Sequence, residues 1–400
     1  MSIKIGKITY DPKDVIGNGS NSVVYRGTFE KKEAAVKKVE KMFLKLIKSE
    51  IDILQQADEN RNIIRYFCSE EDRDHYYIAL ELCFCTLKDY VSNNEYKKLI
   101  SLKSVCEQIV SGMESLHNLK IVHRDIKPTN ALLMKTKSGE IVVKVSDFGF
   151  AKQIDDSSSQ MSVVLDESNY WKVPEMSQGR YNANSDVYSA GCLLYYLFNG
   201  GRISTNKDIV TFNWHSTSSE VCDGVLIKHL VTIMTKPNPD ERPPFECIKF
   251  HPYFWDGQKT LNFLVKTADF IKENSTVAYT MKSLLQENAE EIIGSTWLSR
   301  LEPVIEQSLI YRRANHGYGG NSISELLRAL RNKHAHYDEM TEAAKQTYGS
   351  LPDGFASYWT TKFPALLLHI YLKGYRSGLH HDENFNQYYP NSQKCDKARK

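Results

Sequence analysis

Short runs rich in β-branched residues mark the first part of the chain. Ser22-Val-Val-Tyr25, Ala34-Ala-Val-Lys37 and Tyr76-Tyr-Ile-Ala-Leu80 alternate with turns between Ile8 and Leu87, which predicts strands. One helical period interrupts them, at residues 43–56. Beyond Leu87 the apolar spacing turns helical at 99–119, 186–198 and 225–235, with strand-like pieces only around 131–145. Pro237, Pro239, Pro243 and Pro244 punctuate the end of that stretch. After His251-Pro-Tyr-Phe-Trp255 helical periods run on to residue 390 with almost no strand signal. The pattern predicts an α+β chain: a small β lobe with one helix (1–87), a larger helical lobe (88–255), an all-α segment (256–390) and a polar tail (391–400).

Length agrees with this division, because 400 residues exceed the roughly 250–300 that one hydrophobic core accommodates. Charge bounds the partners. The 51 basic and 49 acidic side chains leave a formal net charge of +2, so no chain-wide field favours nucleic acid and any RNA-binding surface must be local. The eight cysteines show no paired CxxC spacing, so no zinc site is implied. The N-terminus has no apolar h-region and the longest apolar stretch, around Val187–Phe198, is too short to cross a bilayer. A soluble chain is expected, cytoplasmic or the cytosolic part of a longer membrane protein, with no membrane contact of its own.

The densest chemistry lies at His123-Arg-Asp125-Ile-Lys127-Pro-Thr-Asn130 and Ser146-Asp147-Phe148-Gly149. In this pairing Asp125 is expected to accept the proton of a substrate hydroxyl, and Lys127 to stabilise a transferring phosphoryl group. Asn130 and Asp147 offer oxygen ligands to magnesium, a hard cation. Upstream, Gly17-Asn-Gly19-Ser-Asn-Ser22-Val-Val24 resembles a kinase glycine-rich loop, where missing side chains let backbone amides approach phosphates, although Ser22 replaces the third glycine. A lone GxG more often marks an ordinary strand turn. Its weight comes from Lys37, whose ammonium suits the α/β phosphates and a helix carboxylate, with Glu50 the expected partner. Ile16, Gly17, Gly19, Val24, Ala35, Lys37 and Glu50, with Glu81-Leu82-Cys83 as adenine hinge, complete the expected site for ATP or ADP. None of Asp125, Lys127, Asn130 and Asp147 is missing, which argues for a bilobal protein-kinase fold and against a degraded pseudokinase.

Between Asp147 and Val173-Pro174-Glu175 lies an activation segment with Ser157, Ser158, Ser159, Ser162 and Ser168. Phosphates there are suited to order the loop against Arg124, whereas the neighbouring Asp155 and Asp156 oppose further negative charge. Val173 stands where kinases commonly have alanine, and the usual preceding Gly-Thr is absent, so efficient phosphorylation of foreign proteins is not expected.

The second cluster of polar chemistry is at residues 311–337. Ser322 and Glu325 have capping-box spacing, and Ile323, Leu326, Leu327 and Leu330 form a buried stripe, so a helix is expected after a loop held close by Gly317, Gly319 and Gly320. Asn332 and His336, four apart, share a face of that helix; Arg331 precedes them, and the Tyr318 loop can fold back over them. Arg312, Arg313, Arg328, Arg331 and Lys333 against Glu325 give a local basic excess able to hold a phosphodiester backbone. His336 falls in the last turn, where the helix dipole favours imidazolium and suits it to protonating a leaving 5′ oxygen, while Arg331 would balance phosphorane charge. A solvated helix cap is the plainer reading of such a cluster.

Six segments carry a family resemblance: Asn62-Ile-Ile-Arg-Tyr-Phe-Cys-Ser-Glu-Glu-Asp-Arg73, Ala79-Leu-Glu-Leu-Cys83, Asp186-Val-Tyr-Ser-Ala-Gly-Cys192, His251-Pro-Tyr-Phe-Trp255, Leu326-Leu-Arg-Ala-Leu-Arg-Asn-Lys333 and Gly349-Ser-Leu-Pro-Asp353. They resemble the inositol-requiring enzyme family of kinase/endoribonucleases, whose all-α ribonuclease (KEN-type) domain is shared with the 2-5A-dependent ribonuclease. The resemblance implies an ATP- or ADP-binding, magnesium-dependent kinase that autophosphorylates. It also implies a back-to-back homodimer or higher oligomer that pairs two ribonuclease domains. Tyr318, Arg331, Asn332 and His336 fall on the family's nuclease positions. Those positions imply metal-independent cleavage of stem-loop RNA to a 2′,3′-cyclic phosphate and a 5′-hydroxyl, the acid and base roles of Tyr318 and His336 staying open. Signalling of the unfolded-protein-response type, from the cytosolic side of the endoplasmic reticulum, is implied in turn, with the upstream sensor unidentified. A plain kinase with a helical docking tail and a nucleotide-binding scaffold stand as the alternatives.

Overall fold

The structure is a computed structural model and describes residues 2–19, 21–153, 171, 173–178, 181–202, 222–310, 317–390 and 395. It falls into two compact units, one holding the chain up to residue 202 with Val231–Lys249, the other the residues from Phe250 with the chain just before Val231. The serines at 157, 158, 159, 162 and 168, and Arg312 and Arg313, lie outside the described residues.

In the first unit six strands form one antiparallel sheet. They are β1 (Ile3–Ile5), β2 (Ile8–Asn18), β3 (Ser22–Phe29), β4 (Lys32–Glu40), β5 (Tyr66–Glu71) and β6 (His75–Glu81), in the order β1-β2-β3-β4-β6-β5. Strand β2 slips register twice, between Tyr10 and Val15 and between Val15 and Gly17. Such irregularities bend a strand and re-aim its end, here just before the glycine pair. Ile8, Tyr10, Ala34, Val36, Tyr77 and Ala79 pack one face of the sheet. On another cluster the helix α1 (Leu44–Gln56) buries Ile47 with Val39 and Ile78. The sequence expectation of one helix in a β lobe is met, and the lobe is curled as in protein kinases.

The rest of this unit is mainly helical. The helix Leu102–Asn118, capped by Ser101, buries Val105, Cys106, Ile109, Val110, Met113 and Leu116. The expected strand-like pieces are Ala131–Lys135 and Ile141–Val145, paired antiparallel, with Cys85–Thr86 on the free side. The helix Ala183–Phe198 starts at a reciprocal cap in which Asn182 and Ser185 each accept from the other's backbone amide. Its Asp186 has no exposed surface. That carboxylate accepts from the backbone amides of His123 (2.8 Å) and Arg124 (2.9 Å) and from the Tyr181 hydroxyl (3.0 Å), and contacts His117 Nε2 (3.1 Å). Four partners offset the desolvation of one buried charge.

Among the described residues from Phe250 to Pro390 there is no strand. The helix Gly257–Phe270 packs on Ile323–Ala335 and on Asp353–Lys362, while Thr276–Leu285 packs on Leu366–Ser377. Aromatic rings fill the spaces between them: Trp255 meets Phe263 edge-on at 5.0 Å and Tyr371 at 5.6 Å. Phe355, Tyr358, Trp359 and Phe363 are buried with them.

A second buried pair lies near the end of the first unit. Arg242 Nη1 and Nη2 donate to Glu175 Oε1 (2.6 Å) and Oε2 (2.9 Å), and Ser185 Oγ donates to the same carboxylate at 2.7 Å. Burial pushes the Glu175 carboxyl up, but the bonds from Arg242 and Ser185 outweigh it and hold it below its ordinary range. We expect Arg242→Met to cost about 3–5 kcal/mol, the penalty for stranding a buried charge. A carboxyl lowered on folding stabilises fully above its unfolded pKa and loses that contribution as pH falls through the folded one. Chemical denaturation at neutral and acid pH should therefore find the wild type losing stability in acid and Arg242→Met losing less.

Candidate active sites

The first site lies between the six-stranded sheet and the loops that follow the Leu102–Asn118 helix. Pairing of β4 with β3 and β6 sets Lys37 opposite Val24 and Ile78. Lys37 Nζ donates to Glu50 of α1 at 2.6 and 2.9 Å and to Asp147 Oδ1 at 3.1 Å. Burial alone would lower the ammonium's pKa; the Glu50 and Asp147 carboxylates outweigh burial and raise it, so Lys37 carries its charge. Burial pushes Asp147 the other way, and Lys37 overrides it and keeps the carboxylate ionised. Phe148 beside it is buried, 5.0 Å ring to ring from His123. Both signals read in the sequence, the lysine–glutamate pair and the Asp-Phe-Gly turn, are thus brought to one place.

Facing them, Lys127 Nζ lies 2.7 Å from Asp125 Oδ2. Asn130 Nδ2 donates to the Asp125 carbonyl (2.9 Å) and to Asp125 Oδ2 (2.7 Å), and Ser146 donates to the Asn130 carbonyl. With its amide nitrogen committed, Asn130 presents its side-chain oxygen, and Asp147 keeps a second carboxylate oxygen that Lys37 does not take. A hard oxygen pair of this kind fits magnesium. Arg124 and Asp147 both have positive φ, 70° and 64°, a conformation non-glycine residues adopt at a cost and mostly where the surroundings impose it. At Arg124 the Asp186 carboxylate imposes it. Of the remaining predicted nucleotide residues, Gly17 pairs with Val24, and a side chain at Gly19 would meet Ser22 Oγ at 2.8 Å. Ala35 is buried against β3 and β6, Ile16 is exposed, and Glu81 and Cys83 sit at and after the end of β6, the Glu81 carboxylate paired with Lys144 at 2.8 Å.

The second site is in the other unit. The Ile323–Ala335 helix buries Ile323, Leu326, Leu327 and Leu330, so its Arg331-Asn332 face turns away from the core. Ser322 caps it by accepting from the Glu325 amide at 3.3 Å. The expected capping box is only half formed, because the Glu325 carboxylate turns to Arg328 one helical turn on. Of the three loop glycines only Gly320 is sterically required: a side chain there would overlap Thr296, and its carbonyl accepts from the Trp297 amide at 2.8 Å. Trp297 Nε1 donates to the Gly319 carbonyl (3.0 Å), which seats the loop and brings Tyr318 over the helix. Asn332 Nδ2 then donates to the Tyr318 hydroxyl at 3.0 Å, Arg331 Nη1 donates to Asn332 Oδ1 at 2.9 Å, and Arg328 lies over the Tyr318 ring at 4.7 Å.

His336 is the C-cap of this helix, with its amide bonded to the Asn332 carbonyl. Tyr318, Arg331, Asn332 and His336 line one cavity of about 580 Å³, with Lys333 and Gln307 further along its wall. The structure therefore brings Asn332 and His336, which spacing places on one helix face, together with Arg331 before them and Tyr318 from the loop. Two carboxylates escape a reading by sequence. Asp269, 62 residues before Arg331, accepts from its Nε at 2.7 Å, and nothing in the local pattern signals it. Glu339 accepts or shares a hydrogen with His336 Nδ1 at 2.8 Å, and its spacing of three from His336 is a signal that was there to find. The basic excess is smaller than the count suggests, since Arg328 and Arg331 are each paired with a carboxylate.

The description "Protein kinase domain" matches residues 10–254, and "Ribonuclease 2-5A" matches residues 260–389. Among similar proteins, "Sensor for unfolded proteins in the ER ire1" of Schizosaccharomyces pombe is 35% identical over 92% of this chain and 38% of its own length. "Serine/threonine-protein kinase/endoribonuclease IRE2" of Homo sapiens is 34% identical over 92% of this chain and 41% of its own. "Serine/threonine-protein kinase/endoribonuclease ire-1" of Caenorhabditis elegans is 33% identical over 91% and 39%. The chain thus spans about two fifths of the length of these relatives. No described helix is long and apolar enough to cross a membrane.

The Lys37–Glu50 pair gives a test of how the first site is held. The Glu50 side chain is only 5% exposed, so Lys37→Met should strand it at a cost of about 3–5 kcal/mol. Adding Glu50→Leu should recover most of that loss, as read by the urea midpoints of the two variants.

Proposed function

Because the chain belongs to the protein kinase family and joins a ribonuclease 2-5A domain to the kinase domain, we propose that it is a dual enzyme. One part is a Ser/Thr kinase that mainly phosphorylates itself, and the other an endoribonuclease gated by nucleotide binding and self-association. A protein kinase domain generally uses ATP and magnesium. ATP, when bound, supplies the γ-phosphoryl group, and magnesium neutralises its oxygens. Lys37 would hold the α/β phosphates, Asn130 and Asp147 the cation, and Asp125 would accept the proton of the attacked hydroxyl. Lys127 would then meet the charge that develops on the transferring group. The main-chain ends of Glu81 and Cys83 would take the adenine, with Ile16, Val24 and Ala35 around it. Because Lys37, Glu50 and Asp147 are already joined, this arrangement suits phosphoryl transfer without rearrangement of α1.

For the ribonuclease, one observation carries the reading: Tyr318, Arg331, Asn332 and His336 share a single open cavity. A docking tail has no need of a phenol, a guanidinium and an imidazole converging on one void. In the reaction the 2′-oxygen attacks phosphorus, the P–O2′ bond forms and the P–O5′ bond breaks. Tyr318 takes the proton of the 2′-hydroxyl and His336 gives one to the departing O5′; solvent restores both. Arg331 balances the charge of the phosphorane, and Asn332 fixes Tyr318 and Arg331 through the two bonds described above. The products are a 2′,3′-cyclic phosphate and a 5′-hydroxyl, with no metal needed at this site. Stem-loop RNA is the proposed substrate and a back-to-back pair of chains the proposed active form. The name of the Schizosaccharomyces pombe relative, a sensor for unfolded proteins in the ER, favours signalling from unfolded proteins, with this chain as the cytosolic part of an endoplasmic-reticulum protein.

We expect His336→Ala to abolish cleavage of a hairpin RNA while autophosphorylation continues, and Asp147→Ala to abolish phosphoryl transfer. End-group analysis of the fragments should find cyclic phosphate. Undiminished cleavage by His336→Ala would reject the assigned site. Chelation by EDTA should stop the kinase reaction and leave cleavage by preassembled chains in place.

A further inference from the structure

The ribonuclease reading leaves one neighbour of His336 without a role. His336 ends the Ile323–Ala335 helix, is more than half exposed (54%), and stands on the cavity wall with Glu339. An exposed imidazole turns freely about its side-chain bonds unless a partner holds the ring. Here Nδ1 lies 2.8 Å from Glu339 Oε1, and the Glu339 amide closes a turn on the His336 carbonyl at 3.2 Å. Backbone and side chain therefore fix the same pair. An ionised carboxylate only accepts hydrogen bonds, so the contact puts a hydrogen on Nδ1 and leaves Nε2 as the nitrogen that exchanges protons with substrate.

Two other carboxylates are committed elsewhere. Asp269 holds Arg331 at 2.7 Å and Glu342 lies 3.3 Å from Lys345. His334, the other histidine of that turn, is pushed toward its neutral form by burial and packs beside the Phe355 ring at 6.1 Å.

We propose that Glu339 is the positioning residue of the ribonuclease site: its carboxylate holds His336 Nδ1–H and thereby aims Nε2 at the leaving 5′ oxygen. The proposal rests on the ribonuclease reading. As the P–O5′ bond breaks, its electron pair goes to O5′, which takes the Nε2 proton. His336 is left neutral with Nδ1–H still on Glu339, and Glu339 itself never takes a proton. The arrangement resembles a carboxylate that orients a catalytic imidazole in hydrolases, where its task is tautomer and direction.

The test uses the whole chain with Glu339→Gln and Glu339→Asp, on two hairpin RNAs that differ only at the scissile linkage. One carries the natural 5′ oxygen and the other a bridging 5′ sulfur, whose thiolate departs without a proton. General acid catalysis is worth roughly 10²–10⁴-fold, so losing its aim should slow Glu339→Gln on the oxygen-linked RNA by on the order of 10- to 100-fold. On the sulfur-linked RNA the same variant should match the wild type, and Glu339→Asp should fall between on the oxygen-linked one. Autophosphorylation and the thermal midpoint report whether the variants fold. An equal loss on both RNAs overturns positioning in favour of a structural role, and an unchanged rate on the oxygen-linked RNA overturns any role of Glu339 in cleavage. Failure of the unsubstituted chain to cleave either RNA overturns the ribonuclease reading itself, and this proposal with it.

Discussion

A cation drawn out of water needs a negative charge or other strong acceptor beside it, and in this chain carboxylates stand beside four basic groups of the two candidate sites. Lys37 has Glu50 and Asp147, Lys127 has Asp125, Arg331 has Asp269, and His336 has Glu339. At Lys37, the buried one, Coulomb attraction and short, charge-assisted hydrogen bonds outweigh desolvation. The consequence is geometric as much as energetic. A lysine or arginine on a long, mobile stem would sample many positions; a fixed carboxylate reduces them to one.

In the kinase domain the same logic extends to the backbone. Asp186, wholly buried, spends its acceptor capacity on the amides of His123 and Arg124 and on Tyr181 and His117. It thereby holds Arg124 at positive φ, which sets the direction in which Asp125 leaves the chain. The Glu175–Arg242 pair anchors the segment that follows the activation loop to the Ala183 helix through Ser185 and the Asn184 carbonyl. Buried charge here serves position rather than stability, since a well-packed apolar substitute often stabilises a fold equally well.

The ribonuclease domain uses a different scaffold for the same end. An apolar stripe buries one face of the Ile323–Ala335 helix, so the opposite face must carry its polar residues into the open. A loop that folds back, held by Trp297 on the Gly319 and Gly320 carbonyls, then closes that face into a cavity. Tyr318 reaches Asn332 across 14 residues of sequence, and the chain of bonds Tyr318–Asn332–Arg331–Asp269 continues to the helix Gly257–Phe270. A network of this kind fixes each member through its neighbours.

The sequence by itself determined much of this. Alternating and helical periods placed the β lobe and the helices, and Asp125, Lys127, Asn130 and Asp147 were legible because a short loop and a tight turn carry them at fixed spacing. Asn332 and His336 were legible for the same reason, as i and i+4 on one helix, and Lys37 and Glu50 through their place on a strand and the next helix. What only the tertiary structure decided is which charges meet across long separations. Asp269 opposite Arg331 and Asp186 under the Arg124 backbone depend on how helices pack, and no local period encodes that. The half-formed cap at Ser322 has the same cause: Glu325 has two partners in reach, the helix start and Arg328, and in the folded chain the guanidinium takes it. Local chemistry is written in spacing, because spacing fixes direction along one element; counter-charges are assigned by packing, because desolvation is felt only once the elements come together.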